Sequence, residues 1–383
     1  MAENAFKRMD SMNEQASNRL YALTQAFDFS EDNKEAFVQS MREMADFHQE
    51  RSEVYRGICR QYGFTTEQIR THEDVINIPH IFVTAFKQRR LVSLPDAEIF
   101  MTFTSSGTQG QKSQINLDRI SFDRQAGMRE LLVRSLGLTS SETHNYLVFS
   151  YAPGIADNRG AAHTFATYTT FAPAGEKYFA LQQGTTGEPD FDLELAIEKL
   201  VRFAETGLPL RVVGFLAFSY ITLQEMKQRG LRLQFPAESL LITGGGWKSH
   251  KGQTVSFEEY AGLVHEILGI SPERIRDFYG MVEHGVPYMS CAQRHYHVPI
   301  FANVAAIDPG TLQVLAKEET GLLKLQTSYI RSAPAISVLS TDLGAIGSGC
   351  SCGIPGDYIM LRGRAGVTKH AGCAISASQL IKL

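Results

Sequence analysis

Cysteine is scarce, at five in 383 residues, and tryptophan occurs once. So few cysteines in so long a chain do not make a disulfide framework, which excludes a secreted disulfide scaffold. Charge of one sign is also missing. Thirty-seven basic residues stand against 41 acidic ones, for a net charge of −4. Such a balance gives no global electrostatic claim on nucleic acid or on an anionic membrane surface. No run approaches the roughly 18–20 apolar residues of a membrane helix. The longest apolar stretch, 212–223, is interrupted by Gly214, Ser219 and Tyr220. The N-terminus, MAENAFKRMDSMNEQ, lacks the apolar region of a secretory signal. What is present is a globular composition, 43% hydrophobic, with ample chain for a core. A cytoplasmic α/β protein is the expectation; the sequence carries no signal for oligomeric state.

Organisation along the chain points the same way. Residues 1–78 read as a polar helical cap. Ser30 opens a helix with acids in its first turn, and Ala36, Phe37, Met41, Met44 and Phe47 recur at helical spacing. The pattern breaks at 77–79. From there to 297, strands at 102–104, 146–149, 211–215, 239–243 and 275–279 alternate with helices at 119–136, 192–206, 219–229 and 257–269. That alternation argues for a parallel-rich sheet. Short strands and turns at 298–362 suggest a small β subdomain, and 363–383 is left as a tail.

The stretch TSSGTQGQK at 104–112 carries the most chemistry. Glycines allow successive backbone N–H groups to converge on an anion. Thr104, Ser105, Ser106 and Thr108 add hydroxyl donors, and Lys112 adds a positive charge. The spacing is not that of a Walker A loop.

This loop resembles the phosphate loop of adenylate-forming enzymes, and further motifs of that superfamily follow in order. Thr243-Gly244-Gly245-Gly246 resembles the turn against adenine. Tyr279-Gly280-Met281-Val282-Glu283 resembles the Y-G-x-T-E motif, with Val282 in place of threonine. Ser340-Thr341-Asp342-Leu343-Gly344 resembles the segment that binds ribose. Gly363-Arg364 resembles the hinge, with Gly366 where an aspartate is expected. The resemblance implies the N-terminal domain of an adenylate-forming enzyme, with a parallel-rich sheet, helical cap and β subdomain. It places Ser105, Ser106, Gly107, Thr108, Gly110 and Lys112 on phosphates, and Gly245, Gly246, Tyr279 and Gly280 on adenine. Glu283 goes to Mg²⁺, and Asp342 and Arg364 to ribose. ATP and Mg²⁺ are the implied cofactors.

Only 19 residues follow Arg364, so the mobile C-terminal domain of a full adenylate-forming enzyme, with its catalytic lysine, is expected to be truncated here. Lys112, Lys248 and Lys251 are each open as its substitute. Length, GGGWK at 244–248 and the tail KHAGCAISASQLIKL resemble the LuxE-type acyl-protein synthetase of the fatty acid reductase complex. That resemblance implies activation of a carboxylic acid, here a fatty acid, and acyl transfer to a cysteine near the C-terminus for delivery to an acyl reductase. Cys373 fits that cysteine. A thiolate suits attack on a mixed anhydride, and Lys369 and His370 could lower its pKa; the bland alternative is a small buried residue among Ala371, Ala374 and Ile375. Two other functions stay open: an adenylate-forming ligase that acylates CoA or a carrier protein, and a nonenzymatic nucleotide-binding scaffold.

Cys291, Cys350 and Cys352, with His295 or His297, could make a Cys₃His zinc site, with His297 the preferred ligand; reduced cysteines with surface histidines are the alternative. The related phenylacetate-type ligases resemble the chain in this region. Phe165, Tyr168, Phe171, Phe215 and Phe218 are either acyl-pocket wall or core.

Overall fold

The computed structural model describes residues 14–105, 113–156, 159–184, 189–244 and 255–365. Ser106, Gly107, Thr108, Gly110, Lys112, Gly245, Gly246, Lys248, Lys251 and Cys373 lie outside these residues.

Two larger sheets divide the chain. The first has seven strands, in the order Tyr288–Met289, Ile275–Tyr279, Leu240–Gly244, Leu210–Phe215, His144–Tyr151, Ala174–Gln183, Pro189–Phe191. Its five inner strands run parallel and only the two edge strands are antiparallel. Every residue of His144–Tyr151 and of Leu210–Phe215 is buried. Helices on both faces explain why such strands read as near-continuous apolar runs. Helices Leu193–Glu205, Leu216–Gln228 and Phe257–Leu268 follow the strands they cover. Asp192 and Ser256 cap two of them by accepting from the backbone N–H groups of Leu195 and Glu259.

The second sheet is mostly antiparallel: Tyr296–His297, Asp357–Arg364, Ser337–Ser348, Gly321–Gln326, Asn303–Ile307. It recruits one strand from far upstream. Ile81–Phe82 pairs in parallel with Ser337–Ser348 through Ile81 and Val338. The chain therefore enters the second sheet before it builds the first, which periodicity in a two-residue strand does not announce. Ile99–Thr104 pairs antiparallel with Gln114–Asp118 in a separate hairpin.

The N-terminal cap contains helices Gln15–Tyr21, Glu31–Arg51 and Glu53–Tyr62. Phe37, Met41 and Met44 pack into one hydrophobic cluster with Leu325 and Val338 of the second sheet. Polar ties reinforce that packing. Glu14 pairs with Arg124 at 2.8 Å and with Arg331 at 2.6 Å, and Arg331 also reaches Asp118 at 2.8 Å. All four are buried, so each charge needs its partners. No helix among the described residues is long and apolar enough to cross a membrane.

Candidate functional site

Parallel α/β sheets leave a crevice outside the carboxyl ends of their strands. Tyr151 and Phe215 end two parallel strands, Phe278 lies one residue from the end of a third, and all three line a cavity of about 450 Å³. Ser105 reaches the same cavity from the hairpin, Gly280 and Glu283 from the turn after Ile275–Tyr279, and Asp342 and Arg364 from the second sheet. Six positions chosen from separate motifs thus converge around one space, five of them in its wall. Tyr279, the sixth, stands behind Asp342.

Asp342 and Arg364 are register partners on neighbouring strands. Arg364 Nε donates to Asp342 Oδ1 at 2.7 Å, and the Tyr279 hydroxyl donates to Asp342 Oδ2 at 3.0 Å. Tyr279 also stacks on Tyr288, with ring centroids 6.0 Å apart. Tyr279 therefore orients the carboxylate from behind, which the expected adenine contact did not include. The Asp342 N–H donates to Ser340 Oγ at 3.0 Å, fixing the local backbone. A carboxylate held on both oxygens this way presents its remaining lone pairs in a fixed direction, as recognition of a vicinal diol requires.

Glu283 is 4% exposed, and burial pushes its carboxyl above the ordinary value, with Lys87 pulling the other way. A buried carboxylate of this kind favours a bound cation. The turn is closed by Gly285, whose N–H donates to Met281 O at 2.7 Å at a φ of 71°. A Cβ at Gly285 would collide with the Tyr329 hydroxyl and approach Gln125 Nε2 to 2.6 Å. Gly285→Ala is therefore expected to cost about 1–3 kcal/mol, read as a lowered thermal midpoint.

Ser105 is held across the hairpin by Ser113. Its N–H donates to Ser113 O, and its hydroxyl accepts from the Ser113 N–H, both at 3.0 Å. Of the aromatic residues weighed for an acyl pocket, Phe215 lines the cavity, while Phe165, Tyr168, Phe171 and Phe218 are buried in the core. His284 also turns out to be interior, fully buried with Nε2 2.7 Å from the Tyr288 hydroxyl. Lys87, Gln125, Arg129, Arg159 and His163 line the cavity without having been singled out as site residues from sequence. They come from helices or helix ends whose spacing carries no motif.

A second cluster lies at Cys291, His297, Cys350 and Cys352, whose donor atoms all fall within 4.8 Å of one another. The Sγ atoms of Cys291 and Cys350 are 3.8 Å apart, and Cys352 Sγ is 3.2 Å from His297 Nε2. A tetrahedral zinc with ordinary zinc–sulfur bonds has sulfur–sulfur edges of roughly 3.8 Å, so the donor set fits. His295 approaches Cys350 Sγ at 3.2 Å but stacks on Tyr358 at 3.9 Å, and stands outside the four-donor group.

Comparison with known proteins agrees with this architecture. The family described as "Acyl-protein synthetase, LuxE" matches residues 11–382. A long-chain-fatty-acid–luciferin-component ligase of Vibrio harveyi is 26% identical over 336 residues, 87% of this chain and 85% of that protein. The protein of the same description from Aliivibrio fischeri is 24% identical over 92% of this chain and 90% of its own. Among solved structures, an open conformation of 2-hydroxyisobutyryl-CoA ligase with 2-HIB-AMP and CoA superposes with a TM-score of 0.62. It is 17% identical and covers 86% of this chain and 74% of its own. That likeness is one of fold, and the fold is that of an adenylate-forming ligase.

Proposed function

The chain belongs to the LuxE acyl-protein synthetase family, and from that premise we propose that it activates a fatty acid with ATP and passes the acyl group to its own Cys373, for delivery to an acyl reductase. Membership makes the chain an AMP-forming ligase. The observation that carries the proposal is the meeting of Glu283, Asp342, Arg364 and the loop neck at Ser105 in one cavity.

The roles follow from chemistry. Asp342, steadied by Tyr279 and Arg364, accepts from the ribose hydroxyls. Ser106, Gly107, Thr108, Gly110 and Lys112 receive the phosphates, and Gly245, Gly246 and Gly280 flank the adenine. Glu283 would hold Mg²⁺, which when bound neutralises charge gathering on the departing pyrophosphate. A carboxylate oxygen of the acid attacks the α-phosphorus, and the bond to the bridging oxygen breaks with its electrons leaving on pyrophosphate. The Cys373 thiolate then attacks the acyl carbon, and AMP departs from the mixed anhydride. Lys87 lines the same cavity wall as Glu283 and adds a cation there. Cys291, His297, Cys350 and Cys352 would hold Zn²⁺ as a structural ion, pinning the second sheet to the turn after the first. Reduced thiols of this kind suit the cytoplasm.

Intact mass after incubation with ATP, Mg²⁺ and a panel of fatty and aryl acids tests the proposal, beside Cys373→Ser. A hydroxylamine-labile acyl adduct is expected in the wild type and not in the variant. Acid-dependent pyrophosphate release without any adduct would move the acceptor to CoA or a carrier protein. Neither signal, with the acyl reductase also supplied, would favour a nonenzymatic scaffold.

A further inference from the structure

Arg129 sits in the wall of the same cavity, on helix Arg119–Ser135, and is 3% exposed. A guanidinium has five N–H donors and stays charged in proteins. Nη1 donates to Thr167 Oγ1 at 3.2 Å, and Nη2 reaches Gln125 Oε1 at 3.5 Å. Among the described residues Nε is buried with no acceptor, and the neighbouring Tyr168 hydroxyl is likewise buried and unpartnered. The titratable groups that bear on Arg129 are the phenols of Tyr168 and Tyr329, which burial keeps neutral, and no carboxylate of the described residues is among them. The other buried arginines of this region differ: Arg124 and Arg331 both pair with Glu14. A desolvated cation without a counter-ion is costly in an apoprotein, and in a cavity wall it marks where an anion belongs.

The position narrows which anion. Gln125, the partner of Arg129 one helical turn earlier, donates through Nε2 to Gly285 O at 3.1 Å. Gly285 closes the turn that carries Glu283. One side chain therefore separates Arg129 from the backbone beside the proposed metal-binding carboxylate. We propose that Arg129 receives the carboxylate of the acid substrate as it enters the cavity, and so orients the group that is activated. This rests on the ligase reading above. Neutralisation of that carboxylate by adenylation then removes the charge that held it, so Arg129 binds acid in preference to acyl-adenylate.

The test separates binding from chemistry. Octanoate is titrated calorimetrically into wild type, Arg129→Met and Arg129→Lys without ATP. Pyrophosphate release is then measured with octanoate, tetradecanoate and the corresponding dicarboxylic acids. Loss of a charge-assisted contact predicts a Kd and KM for monocarboxylic acids raised about 10- to 100-fold in Arg129→Met. Turnover should stay within about threefold, because the contact is lost from the bound acid and from the transition state alike. Arg129→Lys should recover part of the affinity as a point charge, the KM for ATP should not move, and octanamide should bind wild type and variant alike. Unchanged octanoate binding in a folded Arg129→Met would overturn the assignment. So would a loss confined to the dicarboxylic acids, which would give Arg129 a second carboxylate at the far end of the chain. Arg129-dependent octanoate binding with no pyrophosphate from any acid would leave this assignment standing and remove the ligase reading.

Discussion

Glu283→Gln should lower acid-dependent pyrophosphate release by about 10²- to 10³-fold while making the unliganded protein more stable. The two effects share one cause. Glu283 is buried, and burial raises its carboxyl above the ordinary 4.5. A carboxyl with a raised folded-state pKa contributes stability that is fully present below the unfolded value and lost as pH rises through the folded one. Above the unfolded value this buried carboxyl therefore destabilises the unliganded protein, through the penalty that burial places on its ionisation. The amide fills the same volume without it, and should raise the thermal midpoint by the equivalent of about 1 kcal/mol. That gain should shrink as pH falls below 4.5, where the carboxyl becomes protonated in the unfolded state as well. With Mg²⁺ and ATP the order should reverse, because a divalent cation supplies the charge that the carboxylate lacks and an amide binds it poorly. Thermal midpoints of both proteins, with and without Mg²⁺–ATP at two pH values, check the prediction beside the pyrophosphate assay. A variant as active as wild type would take Glu283 out of the metal role, whatever its stability.

The parts of this fold legible in the sequence are those where burial is one-sided or complete over several residues. Strand 275–279 and helix 257–268 fall within a residue of the expected bounds, because a capping serine, an αL glycine and a compact apolar run mark their ends. The helix expected at 219–229 begins earlier, at Leu216. Its first turn is apolar and buried like the strand before it, so no change of period marks the boundary. Ala174–Gln183 was passed over because its N-terminal half is largely solvent-facing and polar. Site residues on motifs, such as Asp342 and Glu283, were visible because their spacing from glycines is distinctive. Arg129 and Lys87 were not, since a lone basic residue on a helix reads as a solvated charge until tertiary packing encloses it. Tyr279 was visible as a site residue, but its hydroxyl contact with Asp342 spans 63 positions and two sheets, a relation no local pattern encodes.

Cys350→Ser should release one zinc ion per chain and lower stability by at least about 3 kcal/mol, a fall of about 4 °C in the thermal midpoint of a chain this long. Three thiols and an imidazole gathered within 4.8 Å repel one another when ionised, and closed four-donor sites of this composition are structural. The ion would tie together three separate pieces of chain. Cys291 follows the edge strand Tyr288–Met289 of the first sheet, His297 ends a strand of the second, and Cys350 and Cys352 occupy the turn between its strands Ser337–Ser348 and Asp357–Arg364. Those last two strands carry Asp342 and Arg364, so loss of the ion should also loosen the ribose-binding pair and raise the KM for ATP. His295→Ala separates this from general damage: His295 lies outside the donor group, and its variant should keep the metal. Metal content by mass spectrometry, with thermal midpoints before and after a chelator, decides the matter, and a metal-free wild type with unaltered stability would refute it. The consequence reaches the acyl transfer itself. An acyl-adenylate acylates any accessible thiolate, and the chain has five cysteines. On the proposed reading zinc would take three of them out of that competition and Cys59 is buried on helix Glu53–Tyr62, which would leave Cys373 to accept the acyl group.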